Sequence, residues 1–370
     1  MPVSALAQSL SLAVAAGQVL IGGFAGPSLS ATFKAALSSG ERGGAILFRR
    51  NLPGTLADVA LLNREIASSA PPDLPPLIGV DQEGGRVTRL GDPVLRLPKM
   101  RALGRLGDVD LVHRAGRALG AELAALGFTM DFAPVLDVDS CSTNPIIGDR
   151  SFSSDPSVVA RLGAAFASGL QAGGVMACGK HFPGHGDTTV DSHEDLPRVD
   201  QARARLDAVE LLPYRGLRAE TSAAVMSAHV VYPALDPQQP ATLSRRIAHD
   251  LLRSELGYDG LLVSDDLEMK AVADRMPIEE SAVRAVRAGC DVLLVCSNEE
   301  LQSRAHVALV KAAEADPLFA GRLREAAGRG LEARQRRPPA PREAGALSTV
   351  IGGAASTSLA RELEQRGAFA

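Results

Sequence analysis

The feature that most constrains the fold is an alternation of short apolar runs with longer amphipathic ones, sustained across most of the chain. QVLIGGFAG (18–26), GGAILFRRN (43–51), PPLIGVDQEGG (75–85), FTMDFAPVLDVD (128–139), VMACGKHFPG (175–184), SAAVMSAHVVYPALD (222–236), YDGLLVSDDLEM (258–269) and DVLLVCSNEE (291–300) read as strands. Between them lie stretches with helical periodicity: SATFKAALSSG, TLADVALLNREIASS, DLVHRAGRALGAELAALG, SVVARLGAAFASGLQAGG, AVELLPYRGLRAE, RRIAHDLLRSELG and ESAVRAVRAGC. Strand-like runs bounded by turn residues and separated by helices imply βα units around a parallel sheet. Eight such units predict a closed (β/α)8 TIM-type barrel, an α/β fold whose chemistry gathers at the C-terminal ends of the strands.

The length, 370 residues, suits one large barrel. The reading is a single domain: residues 1–335 as a catalytic barrel, and 336–370 as a short C-terminal arm rich in Pro and Gly. Within the arm, SLARELEQRG could form one short helix. A net charge of −4 lacks the basic footprint of nucleic-acid binding, and the dense run RQRRPPAPR (334–342) reads as a solvated helix end. Four cysteines without a CxxC pair fit a reducing compartment rather than a disulfide framework. The apolar N-terminal stretch carries no Lys or Arg before Lys34 and is broken by Gln8, Gln18 and glycines. It fits neither a signal peptide nor a membrane span, so the expectation is a cytoplasmic protein with no membrane partner.

Polar residues crowd the predicted strand ends, most densely in KHFPGHGDTTVDSHEDLP (180–197), which holds three of the seven histidines. GVMACGKH (174–181) spaces its glycines and lysine like a phosphate loop, but His181 stands where Ser or Thr would hold Mg²⁺. His181, His185, Asp187, Asp191 and His193 could ligate a metal. However, the Phe-Pro-Gly between His181 and His185 forbids presentation on one helical face, and the expectation is no metal and no cofactor. Proton transfer remains: Asp191 lies two residues from His193, where a carboxylate can orient an imidazole and stabilise its cation. Asp265 directly follows the seventh strand and is the candidate nucleophile. Asp266 points elsewhere by strand alternation and would orient a neighbour or cap the next helix.

KHFPGHGDTTVDSH together with VDQEGGRVTR, DFAPVLDV, NPIIGDRSF, SAHVVYPALD and VSDDLEM resembles the β-N-acetylhexosaminidases of glycoside hydrolase family 3, the NagZ group. The likeness runs in order from about Gln18 to about Asn298. It implies that Asp265 is the nucleophile and that His193 with Asp191 forms the acid/base dyad. It also implies that Asp81, Arg89, Arg150, Lys180 and His181 contact sugar hydroxyls, with Glu83 also possible. His229 would line the rim or make a structural hydrogen bond. The implied activity is a retaining exo-β-N-acetylglucosaminidase acting on a small carbohydrate, such as the GlcNAc-1,6-anhydro-MurNAc peptides of cell-wall recycling. Because the proton donor is an imidazole where the general template has a carboxylate, phosphate as acceptor is an alternative. A metal-dependent barrel hydrolase is another.

Overall fold

The computed structural model describes residues 5–192 and 195–369. Eight parallel strands close into a barrel: β1 (Leu20–Gly22), β2 (Gly44–Leu47), β3 (Leu77–Val80), β4 (Met130–Asp131), β5 (Met176–Phe182), β6 (Ala224–Ser227), β7 (Leu261–Asp266) and β8 (Val292–Val295). Each strand pairs with its neighbours in chain order. The ring is sealed where β1 pairs with β8, Leu20 opposite Leu293 and Ile21 opposite Leu294. The fold is the (β/α)8 barrel that the eightfold alternation predicts.

Successive side chains on a strand point to opposite faces, so each strand here feeds two cores. Ile21, Ile46, Leu77, Met130, Met176, Met226, Val263 and Leu294 fill the barrel interior together with Phe132 and Cys178. Their neighbours Leu20, Val225, Leu262 and Leu293 pack under helices on one side, and Ala45, Ile78 and Ala177 on the other. With both faces buried, the strands are almost continuously apolar, as parallel sheets require. Gly79 makes room for Phe132, because a Cβ there would stand 2.6 Å from the ring.

Helix α1 (Val109–Leu126) starts at Asp108, whose side chain accepts from the Leu111 amide, and α2 (Pro156–Gly173) starts at Asp155 with Pro in its first turn. The two helices press together through small residues. A Cβ on Gly116 would meet the Phe166 carbonyl at 2.4 Å, and one on Gly169 the His113 carbonyl at 2.2 Å.

Two local expectations need correction. AVELLPYRGLRAE is not one helix: a short helix ends at Ala208, and a 3₁₀ turn covers Leu212–Tyr214. Pro213, in that turn, has no N–H with which to continue a helix. The run SAAVMSAHVVYPALD divides as well. Only Ala224–Ser227 joins the barrel, while Val231–Tyr232 pairs antiparallel with Asp236–Pro240 in a separate hairpin above it.

Past Arg336 the chain crosses back over α1, and helix α3 (Ala354–Gln365) buries Leu359 and Leu363 in the same core as α1. Arg114 grips Glu362 with two bonds of 2.8 and 2.9 Å. Buried Glu122 accepts from the Leu95 amide, the Gly352 amide and the Ser356 hydroxyl, joining the arm to the segment after β3. Among the described residues, no helix is long and apolar enough to cross a membrane.

Candidate active site

The strand ends build a cavity of about 250 Å³ at the C-terminal mouth of the barrel. Its polar lining is Asp81 and Glu83 after β3, Arg89 and Arg150 from loops, Lys180 and His181 at the end of β5, His185 and Ser192 beyond it, and Asp265 and Asp266 at the end of β7. Residues more than 180 positions apart in sequence converge because the barrel brings every strand's C-terminal end to one rim.

One wall is an ion-pair lattice. Lys180 Nζ lies 2.8 Å from Asp81 Oδ1 and 2.7 Å from Glu83 Oε1, while Arg89 Nη2 lies 3.2 Å from Asp81 Oδ2. Arg150 grips Glu83 through both carboxylate oxygens, at 2.8 and 2.9 Å. Burial favours the neutral acid for Glu83, but the charges of Arg150 and Lys180 outweigh it and hold the carboxyl well below its usual range. For Lys180 burial opposes the charge, and Asp81 with Glu83 more than restores it. Side chains fixed in this way present hydrogen-bonding groups without having to be ordered by a ligand.

The loop bearing Asp81 and Glu83 is held from behind. The Gln82 side chain accepts from the Arg89 and Leu90 amides and donates to the Leu90 carbonyl, while the Gln82 amide donates to Asp131 Oδ1 at 2.9 Å. Gly84 and Gly85, at φ 104° and 54°, take the left-handed turn that returns the chain to Arg89. Burial pushes the Asp131 carboxyl up to about 8.

Asp137 anchors the histidines. Its Oδ2 is 2.7 Å from His181 Nδ1, and its Oδ1 accepts from the His181 amide at 3.1 Å and the His185 amide at 2.6 Å. Burial would raise the Asp137 carboxyl, but the adjacent His181 charge and these hydrogen bonds hold it below its ordinary value. The tautomer of His185 follows from its neighbours. The Thr188 hydroxyl donates to the His185 carbonyl at 3.1 Å, so it accepts at 2.8 Å from His185 Nδ1. His185 Nε2 then accepts from the Ser192 hydroxyl at 3.0 Å. Burial, with the His181 charge next, pushes this imidazole down to about 4, so it is neutral near pH 7.

On the opposite side, Asp265 Oδ1 accepts from the Asp266 amide at 2.8 Å. Asp266 orients neighbours: its Oδ1 accepts from the Glu268 amide at 3.1 Å and the Cys296 amide at 3.2 Å. Burial pushes its carboxyl up to about 7, with the charges of Glu268 and Asp265 adding to the effect.

Of the residues picked out in the sequence, Asp81, Arg89, Arg150, Lys180, His181 and Asp265 all line the one cavity, as does Glu83. Asp191 sits beside it, with Ser192 forming part of the lining, and the Asp195 amide donates to the Asp191 carbonyl at 3.0 Å. His193 lies outside the described residues. His229 is buried: Nε2 donates to the Asp266 carbonyl at 2.9 Å and Nδ1 is 2.9 Å from the Thr242 hydroxyl, a structural role beneath the β7 end. Sequence reasoning missed Asp137 as the partner of His181, the His185–Ser192 bond, and Phe48, which lines the cavity beneath Arg50 and Arg89. Phe48 directly follows β2, and Asp137 lies in the polar-ended segment after β4; those positions were the available signal.

Residues 11–329 match the glycosyl hydrolase family 3 N-terminal domain. A protein named Beta-hexosaminidase from Chromobacterium violaceum is 41% identical over 313 residues, 82% of this chain and 85% of its own length. Among solved structures, a glycoside hydrolase family 3 β-N-acetylglucosaminidase from Paenibacillus sp. superposes with a TM-score of 0.91 at 42% identity, covering 97% of this chain and 69% of that one. NagZ from Neisseria gonorrhoeae, solved in complex with N-trifluoroacetyl-D-glucosamine, superposes with a TM-score of 0.68 at 36% identity, covering 85% of this chain and 98% of that one. The chain therefore belongs to glycoside hydrolase family 3, within its β-hexosaminidase group.

Proposed function

We propose that the protein is a retaining exo-β-N-acetylglucosaminidase. The observation that carries this reading is the placing of Asp265, on β7, in a small cavity that also holds the Asp81, Glu83, Lys180 and Arg150 lattice. A pocket of about 250 Å³ suits one sugar ring and little more, which supports removal of a single terminal residue.

In this reading Asp265 attacks the anomeric carbon and forms a covalent glycosyl-enzyme. His193, oriented by Asp191, gives its proton to the departing oxygen and then, as base, takes one from water. Asp81, Arg89, Arg150, Lys180 and His181 hold the sugar hydroxyls, Glu83 fixes two of their cations, and Asp137 orients the His181 ring. The roles are filled by side chains and call for no cofactor. Substrates would be saccharides with a terminal β-GlcNAc, GlcNAc-1,6-anhydro-MurNAc peptides among them, and the reaction would serve cell-wall recycling in the cytoplasm. Residues 1–335 would form the catalytic barrel, with 336–370 as an arm braced on it.

Proton NMR of p-nitrophenyl β-GlcNAc hydrolysis tests the stereochemistry. The β anomer of GlcNAc should appear first and then mutarotate. First appearance of the α anomer would exclude the covalent route. Repeating the reaction in phosphate buffer and finding GlcNAc 1-phosphate would replace water with phosphate as acceptor.

A further inference from the structure

Between β3 and the short helix Met100–Leu106, residues 81–99 form no helix and no strand, only one bridge between Gly84 and Val87. This segment supplies Asp81, Glu83, Val87 and Arg89 to the sugar cavity. So long a stretch without regular structure is uncommon inside a compact domain, and its order has to come from contacts with other parts of the chain. Near its start, Asp131 holds the Gln82 amide. Further on it is held from the back: Val94, Leu95 and Leu97 are buried in one core with Ile351, Leu359 and Leu363 of the C-terminal arm.

Glu122, fully buried on α1, is the polar joint between segment and arm. Its Oε2 accepts from the Leu95 amide at 2.6 Å, while Oε1 accepts from the Gly352 amide at 3.0 Å and the Ser356 hydroxyl at 2.5 Å. One carboxylate oxygen thus serves the segment and the other serves the arm. Apolar burial is non-directional and tolerates small shifts, whereas three hydrogen bonds to one carboxylate fix a position. From Leu95 the connection runs on to the cavity. The Gly85 amide donates to the Leu97 carbonyl at 3.1 Å, and a Cβ on Gly84 would stand 3.0 Å from both Leu97 Cβ and the Pro98 carbonyl oxygen. Glu83, the next residue back, is the one that joins Lys180 to Arg150.

We propose that Glu122, held by Ser356 of the arm, is a positioning residue for sugar binding: through Leu95 and Leu97 it sets the place of the turn that carries Glu83. The inference rests on the saccharide reading above and adds a role for the arm, none of whose residues lines the sugar cavity. With the joint intact the segment meets the sugar already in place. With it broken, part of the binding free energy goes into ordering the segment, and affinity falls.

The test uses GlcNAc as a competitive inhibitor of p-nitrophenyl β-GlcNAc hydrolysis. Ser356→Ala removes one bond from the arm and leaves the sugar lattice untouched, so GlcNAc should bind about fivefold more weakly, with KM raised to match and kcat nearly unchanged. Ser356→Thr keeps the hydroxyl and should restore binding, while Glu122→Gln, which turns an NH₂ group toward backbone donors, should weaken it further. Amide exchange read by mass spectrometry should be faster over residues 82–97 in Ser356→Ala. In the wild type, saturating GlcNAc should slow exchange over 350–360, because coupling between two sites acts in both directions. Ile278→Val, in the other helix-packed core, costs a comparable amount of stability and should leave GlcNAc binding alone. A lower melting temperature for Ser356→Ala with GlcNAc binding and exchange over 82–97 unchanged would overturn the proposal. A wild type that cleaves no p-nitrophenyl β-GlcNAc would remove the saccharide reading, and the exchange comparison would still decide whether arm and segment are coupled.

Discussion

His185 Nε2 and Ser192 Oγ are joined by a 3.0 Å hydrogen bond that ties the end of the loop bearing Asp191 to the buried floor of the site. Ser192→Ala removes this tie without touching the sugar lattice. A neutral hydrogen bond contributes about 1 kcal/mol, so kcat on a disaccharide should fall roughly fivefold with KM nearly unchanged. The His185 pKa is lowered on folding, so its contribution to stability is full above the ordinary value near 6.5 and is lost as pH falls to about 4. Thermal melts across that window should show the loss in the wild type and a flatter profile in His185→Asn.

Glu83→Gln should destabilise the fold, because it leaves Lys180 and Arg150 as buried cations short of a partner, a change that costs about 3 kcal/mol or more. The Glu83 carboxyl is held below its ordinary value, so its stabilisation is present above about pH 4.5 and fades as the medium is made more acid. Denaturant melts should therefore show a gap between wild type and variant that is wide at neutral pH and narrows in acid. A constant gap would mean that the loss is one of packing and not of charge.

Asp266 should behave in the opposite sense. Its pKa is raised to about 7 on folding, so the stability it allows is full below about pH 4 and is lost as pH rises through 7. Asp266→Asn keeps an oxygen to accept from the Glu268 and Cys296 amides and removes the titration. The variant should melt higher than the wild type at pH 8 and at a similar temperature at pH 4.

If His193 is the proton donor, its value depends on the leaving group. General acid catalysis contributes ~10²–10⁴-fold, so His193→Ala should lose about that much in the glycosylation step on a disaccharide and far less on a nitrophenyl glycoside. Asp191→Ala should show the same pattern more mildly, since the ring keeps its proton but loses the charge that orients it. Pre-steady-state rates on both substrates decide the matter. Equal losses would mean that His193 shapes the loop and the proton comes from elsewhere.

The barrel was legible because eight apolar runs fix eight strands, and each apolar residue has one of two buried faces to occupy. The site was legible where polar residues stand at or just past the C-terminal end of a strand: Asp81, Lys180, His181 and Asp265 all meet in one cavity. Partner choice was less legible. Asp191 and His193 are close in sequence, which made one candidate acid and base pair visible. The observed Asp137–His181 pair spans 44 residues and depends on β4 lying beside β5. The hairpin at Val231–Tyr232 was hidden because an apolar run does not show where a strand leaves the barrel.

In the proposed mechanism Asp265 becomes covalently bonded to the sugar. A 5-fluoro GlcNAc donor with a good leaving group slows release of the intermediate, and peptide mapping of the trapped protein locates the bond. One sugar per chain is expected, on the peptide containing Asp265, with no trapping in Asp265→Ala. A label on Asp266 or Glu83, or full turnover by Asp265→Ala, would contradict it.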